Sequence, residues 1–249
     1  MANKGGARHS KRKSAPGFWP IHRKEFVWIS KPRAGPHARD KSIPLLTILR
    51  DILGLASKER EARVILADGK VKVNGRVRFD EKFPVGLMDV VEIEGVKRTY
   101  RLIPSTKRFL QLHQVDGEEK TFRLAKLSDC SIIKQGVIQL SLHDGSNLVI
   151  KSDGAPPTNV QYKPNDTLKL SIPGGQILDC FKFAEGAYAL ITGGKNVGIS
   201  GNIVSIAKVS PTAKPTVKIR SPKGDEYSST VDYVFIIGRD KPEISLPGG

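Results

Sequence analysis

Eleven lysine and arginine residues fall within the first 41 positions: Lys4, Arg8, Lys11, Arg12, Lys13, Arg23, Lys24, Lys31, Arg33, Arg39 and Lys41. Only Glu25 and Asp40 oppose them, so this arm carries +9 of the chain's +16. The chemistry open to such a run is electrostatic, because each cation that meets a phosphate releases a condensed counterion. His37 sits among these cations and is a further candidate contact. Phe18, Trp19, Phe26 and Trp28 interleave with the charges. They can stack on unpaired bases or anchor the arm to its own protein. A second concentration comprises Ser57, Lys58, Arg60, Arg63, Lys70, Lys72, Asn74 and Arg76. Arg60 and Arg63 are spaced to share one helix face, and guanidinium forks grip phosphate bidentately. Asn74-Gly75 is a tight-turn signal that would let backbone approach a ligand closely. A merely solvated, charged helix face is the alternative reading of that stretch.

Other chemistries fit the sequence poorly. The glycine-rich run from Gly193 to Gly201 lacks the G-x-x-x-x-G-K-S/T order of a phosphate cradle. It also lacks G-x-G-x-x-G between a strand and a helix, which argues against ATP or NAD. Cys130 and Cys180 lie in apolar surroundings and are expected to be reduced core residues. His9, His22, His37, His113 and His143 show no metal-ligand spacing, and no Ser/His/Asp or paired-carboxylate arrangement emerges. Gly174-Gly175-Gln176 matches the water-positioning tripeptide of release factors, but its setting reads as a plain turn. No catalysis, cofactor, metal or small-molecule substrate is expected.

The elements that must position the cations read as follows. The chain has 249 residues, 39% hydrophobic, which suits several small cores. Its pI of about 9.9 points to nucleic acid. No signal-peptide h-region or bilayer-spanning apolar run occurs, so a cytosolic protein away from membranes is expected. Ser42 is a candidate helix N-cap with Pro44 in the first turn, and Leu45, Leu46, Leu49 and Leu53 recur at helical spacing up to Gly54. Ser57 is a second N-cap candidate, for a helix with Ala62, Ile65 and Leu66 on its apolar side and Gly69 at its end. Lys70 to Val73 alternates as a strand, then turns at Asn74-Gly75. From about residue 105 short strands and turn signals dominate: Asp116-Gly117, the alternating run 136–142, Asp144-Gly145, then strands near 167–172, 186–192, 202–206, 216–219 and 231–237. Pro156-Pro157 bars a central strand there. The final residues from Leu246 look like a tail.

The residues SKEREARVILADGKVKVNGRV, followed by VGLMDVVEI, resemble the S4-type RNA-binding fold. The stretch beginning at Phe183, FAEGAYALITGGKNVGISGNIVSI, resembles a KOW motif, the core of a small SH3-like barrel. Gly194, Gly198 and Gly201 sit at its loop positions. Ile199 and Ser200 stand where relatives often place a basic residue, and the charge falls at Lys195, the last candidate RNA contact. With KPRAGPHARDKSIPL before these modules and VFIIGRDKPEISLPGG after them, the chain resembles the archaeal/eukaryotic small-subunit ribosomal protein family S4e. The resemblance implies an α+β, mostly β protein of three small modules. Residues 1–41 would form an extended basic arm, 42–104 an S4-like domain, 105–172 a β-rich central domain, and 173–249 a KOW barrel with a tail. It implies a structural constituent of the small ribosomal subunit, in the cytoplasm, with ribosomal RNA and neighbouring ribosomal proteins as partners. A KOW-containing transcription or translation factor that binds RNA transiently is the alternative.

Overall fold

A computed structural model describes residues 9–96, 98–106, 109–133, 137–150, 162–207 and 214–247. Lys4, Arg8, Pro156-Pro157 and the start of the run 136–142 lie outside the described residues. The fold is mostly β with few helices. Three five-stranded antiparallel sheets form its body.

The first sheet orders Arg76–Val77, Val71–Val73, Val90–Ile93, Arg98–Ile103 and Gln111–Val115. Val71, Val73, Val91 and Ile93 alternate inward and pack on Leu45, Leu46, Ile48, Leu49, Ala62 and Leu66. Those last residues come from the helical turn Leu45–Thr47, the π-helical turn Ile48–Ile52 and the helix Glu59–Ala67. Each buried Val or Leu contributes about 1.5–3 kcal/mol. The helix begins at Glu59 because the Glu61 carboxylate accepts the backbone N–H groups of Ser57 and Lys58. Asn74 and Gly75 are the two central residues of the first hairpin, with φ of 51° and 74°, the type I′ pattern that matches strand twist.

Ser42 is not a helix cap. Ser42–Pro44 forms a short strand paired with Pro84–Gly86, and the Ser42 hydroxyl donates to the Ala38 carbonyl. Pro44 holds extended backbone, so the helical turn starts after it.

From residue 9 onward the arm is not an extended tail. Ser10–Lys11 pairs with Trp28–Ile29, and Ala15, Trp19 and Ile29 enter the same core as the first sheet. The Trp19 indole N–H donates to the Ser42 carbonyl at 2.8 Å, and Phe18 packs tilted on Phe109 at 5.1 Å.

The second sheet orders Asn147–Ile150, Ile138–Leu142, Phe122–Ile132, Thr167–Ser171 and Ile177–Phe181. Its long strand pairs with Thr167–Ser171 through residues 122–126 and with Ile138–Leu142 through residues 127–132, changing register between Leu127 and Asp129. Gly174-Gly175-Gln176 is the turn between two of these strands. The third sheet orders Glu226–Thr230, Thr216–Arg220, Ser200–Ala207, Tyr188–Ile191 and Val234–Gly238. Two expected breaks therefore fall elsewhere. The first sheet runs through 104/105 to Val115, and Ile177–Phe181 belongs to the central sheet.

The cores join. Ile103, Phe122, Leu124 and Phe181 share a cluster with Val234, Phe235, Ile236 and Ile237. Ile244 is buried, and Ser245 bonds the Glu119 carboxylate, so the end of the chain is docked up to there. Cys130 and Cys180 are free and half-buried at the edge of the central core, where burial raises both thiols.

Candidate nucleic-acid interface

The candidate cations divide by what they touch. Arg12 is 3% exposed. It donates to the His22 carbonyl, meets Glu25 at 3.3 Å and lies 4.0 Å from Asp51. A guanidinium so enclosed staples the arm and does not face a ligand. Arg23 donates to the Lys13 and Pro16 carbonyls, and Arg39 to Ser10 and the Ser14 carbonyl. Both hold the arm's path.

His37 is buried as well. Its Nε2 is 2.9 Å from the Asp89 carboxylate, which also accepts from the Gly86 N–H and the Asn74 amide. Burial opposes its charge, but Asp89 outweighs this and raises His37 above its ordinary value. Asp89 is held below its ordinary value despite complete burial, by the His37 charge and by these donors. Asn74 also accepts the Val90 N–H, so its amide is committed on both sides. A Cβ on Gly75 would come within 2.7 Å of Ile172 and 2.8 Å of Pro173. The close approach that this turn permits is to the chain just after the second-sheet strand Thr167–Ser171.

Four more candidates are ion-paired at the surface. Arg33 meets Asp80, Lys70 meets Asp68, and Lys72 meets Glu94. Arg63 holds Glu81 at 2.7 Å and also Glu59, and these acids raise its pKa. Lys31 is partly exposed. Lys11, Lys13, Lys24, Lys41, Lys58, Arg60, Arg76 and Lys195 are exposed and make no ion pair among the described residues. Ser57 is exposed beside Lys58.

The glycine-rich turn behaves as the first hairpin does. A Cβ on Gly198 would fall 2.3 Å from the Thr106 backbone. Lys195 at the loop tip remains outward.

Several polar joints were not visible in the sequence. Lys126 donates to the Val231, Asp232 and Val234 carbonyls, tying the central sheet to the third, and burial lowers it to about 8. His143 accepts the Lys126 N–H at Nδ1 and donates from Nε2 to the Leu87 carbonyl. Burial pushes it down to about 4. Arg101 is fully buried, donates to the Glu119 and Phe122 carbonyls, and is lowered by burial to about 10. The only sequence hint of these joints is a charged or imidazole residue within an alternating strand or tight hairpin.

The scaffold of three sheets keeps charges at its own joints and carries exposed cations with no ion pair among the described residues, the class of surface that suits a polyanion. Comparison with known proteins sharpens this. Residues 4–40 match the RS4NT domain, 43–91 the S4 domain and 96–177 the ribosomal family S4e. The small ribosomal subunit protein eS4 of Staphylothermus marinus is 46% identical over 250 residues, covering 100% of this chain and 99% of that protein. Its counterpart in Desulfurococcus amylolyticus is 45% identical with the same coverage. The crystal structure of the 30S ribosomal protein S4e from Thermoplasma acidophilum matches with a TM-score of 0.66 and 34% identity, over 80% of this chain and 96% of that one. The chain belongs to the ribosomal protein family S4e.

Proposed function

We infer that the chain is a structural component of the small ribosomal subunit that binds ribosomal RNA, holds its fold and so supports translation in the cytoplasm. The observation that carries this is the end-to-end similarity to proteins named small ribosomal subunit protein eS4. The unpaired cations Lys11, Lys13, Lys24, Lys41, Lys58, Arg60, Arg76 and Lys195 are the RNA contacts. Double-helical RNA hides its base edges, so these side chains read phosphate and shape. The role is architectural and asks no side chain to make or break a bond. Neighbouring ribosomal proteins complete its surroundings.

The same reading assigns three modules: residues 9–115 with the arm folded in, 122–181, and 183–247. The third is an SH3-like barrel of the KOW type, supported by its five antiparallel strands and the positive-φ turns at Gly194 and Gly198.

The test is salt-dependent binding of the full chain to small-subunit RNA. Changing Lys11, Lys13, Lys24 and Lys41 together to Gln removes charge without touching the staples. Each phosphate interaction removed in this way reduces the log–log salt slope by about 0.7–0.9. An unchanged slope would take this face off the RNA.

A further inference from the structure

The four aromatic residues of the arm separate into two pairs. Phe18 and Trp19 pack inward. Phe26 is 63% exposed and Trp28 58% exposed, with Val27 between them at 63%. Large apolar side chains left contiguous on a surface mark an interaction site. These rings are also held. Trp28 stands opposite Lys11 in the two-strand ladder, and the Arg12 N–H donates to the Val27 carbonyl at 2.9 Å. The buried Arg12 guanidinium sits 5.1 Å from the centroid of the Phe26 ring. It lies over that ring, which still leaves Phe26 largely exposed.

The surroundings select the partner. Phe26 and Trp28 line a groove of about 580 Å³ together with Lys58, and Trp28 also lines a neighbouring groove of about 590 Å³ with Lys82. The acids in these grooves are Glu25, Asp51 and Glu59. Each is already ion-paired, to Arg12, Arg50 and Arg63 respectively. Lys58 and Lys82 make no ion pair among the described residues. Pre-positioned rings beside unneutralised cations suit a ligand that is flat, apolar on its faces and anionic along its backbone. We propose that Phe26 and Trp28 form a stacking platform for an unpaired base of RNA, with Lys58 and Lys82 on the adjoining phosphates. This rests on the RNA-binding reading and adds to it a site for single-stranded nucleotides, distinct from contacts to helical phosphate.

Tryptophan fluorescence and affinity of the full chain test the platform, with oligoadenylate of about ten nucleotides and an RNA duplex of the same length as probes. Stacking on Trp28 quenches its emission when the single strand is added, and Trp28→Leu abolishes that quenching. Trp28→Leu weakens single-strand binding roughly tenfold, as loss of one stacked base does. It leaves duplex affinity and the salt slope unchanged, and Trp28→Tyr restores most of the binding. In Trp28→Leu the sole remaining tryptophan is the buried Trp19, whose emission reports that the core is intact. Duplex binding with no quenching and wild-type single-strand affinity in Trp28→Leu would overturn the platform alone and leave the patch to a protein partner. Failure of the wild-type chain to bind either probe would overturn the RNA reading, and the platform with it.

Discussion

Arg60 and Arg63 share a helix face, yet their surroundings give them different roles. Arg60 is exposed with no ion pair among the described residues, whereas Arg63 is held by the largely buried Glu81. Arg60→Glu should weaken RNA binding and change stability by less than about 0.5 kcal/mol. Arg63→Glu places an acid against Glu81 and should destabilise by about 1–3 kcal/mol, read as a shift in the urea midpoint. His143 gives the pH dependence. Its folded value, about 4, lies below its ordinary 6.5. The unfolded chain therefore takes up a proton first, and stability falls as pH drops from 6.5 towards 4. His37 is shifted the other way, so its contribution is fully present below 6.5 and does not cause that fall. His143→Asn should flatten the acid limb of a pH–stability curve. An equal slope in the variant would show that the imidazole is not responsible. At this scale the sequence revealed which residues are charged but not which are enclosed. Arg12 meets Glu25 thirteen positions away, and His37 meets Asp89 across fifty-two. Such pairings are set by the fold, and no local spacing announces them.

Short elements were legible where backbone chemistry is local. Asn74-Gly75 signals a two-residue hairpin because both positions need positive φ, and both have it. The helix from Glu59 followed from its apolar spacing and the acids in its first turn. Ser42 misled because its fate is decided by pairing with Gly86, forty-odd residues on, which outweighs a capping preference. The π-helical turn Ile48–Ile52 has no signature beyond its buried Ile48 and Leu49. Nor does sequence show that Gly75 rests on Ile172 and Pro173. That contact sets the first hairpin against the chain that follows strand Thr167–Ser171 of the second sheet. Gly75→Ala combines an unfavourable positive φ with a clash, and should cost about 1–3 kcal/mol. Its companion Lys72→Gln, on the same hairpin, removes only a surface ion pair with Glu94 and creates no clash, so it should cost far less. Equal midpoints for the two in urea would show that the hairpin does not bear on the second sheet.

For the whole molecule, charge distribution was the part of the function most open to reading, because polyanion binding depends on net charge and its clustering more than on exact placement. The arm's architecture was the part least open. Its composition suggests an extended strap, but Trp19 and Ile29 make it a wall of the first core. Removing residues 1–41 would therefore strip core as well as charge, and neutralising the exposed lysines is the cleaner way to separate the two. The central claim is that the chain is a resident structural part of the small ribosomal subunit, and it is tested most directly by sedimentation. Cell extract would be resolved on a sucrose gradient, and the small-subunit fraction washed in high salt and run again. The account predicts that the chain stays with the small subunit in stoichiometric amount through the wash. Its absence from that fraction, or its release to the top of the gradient by salt while neighbouring proteins remain, would contradict the account and identify a factor that binds RNA in passing.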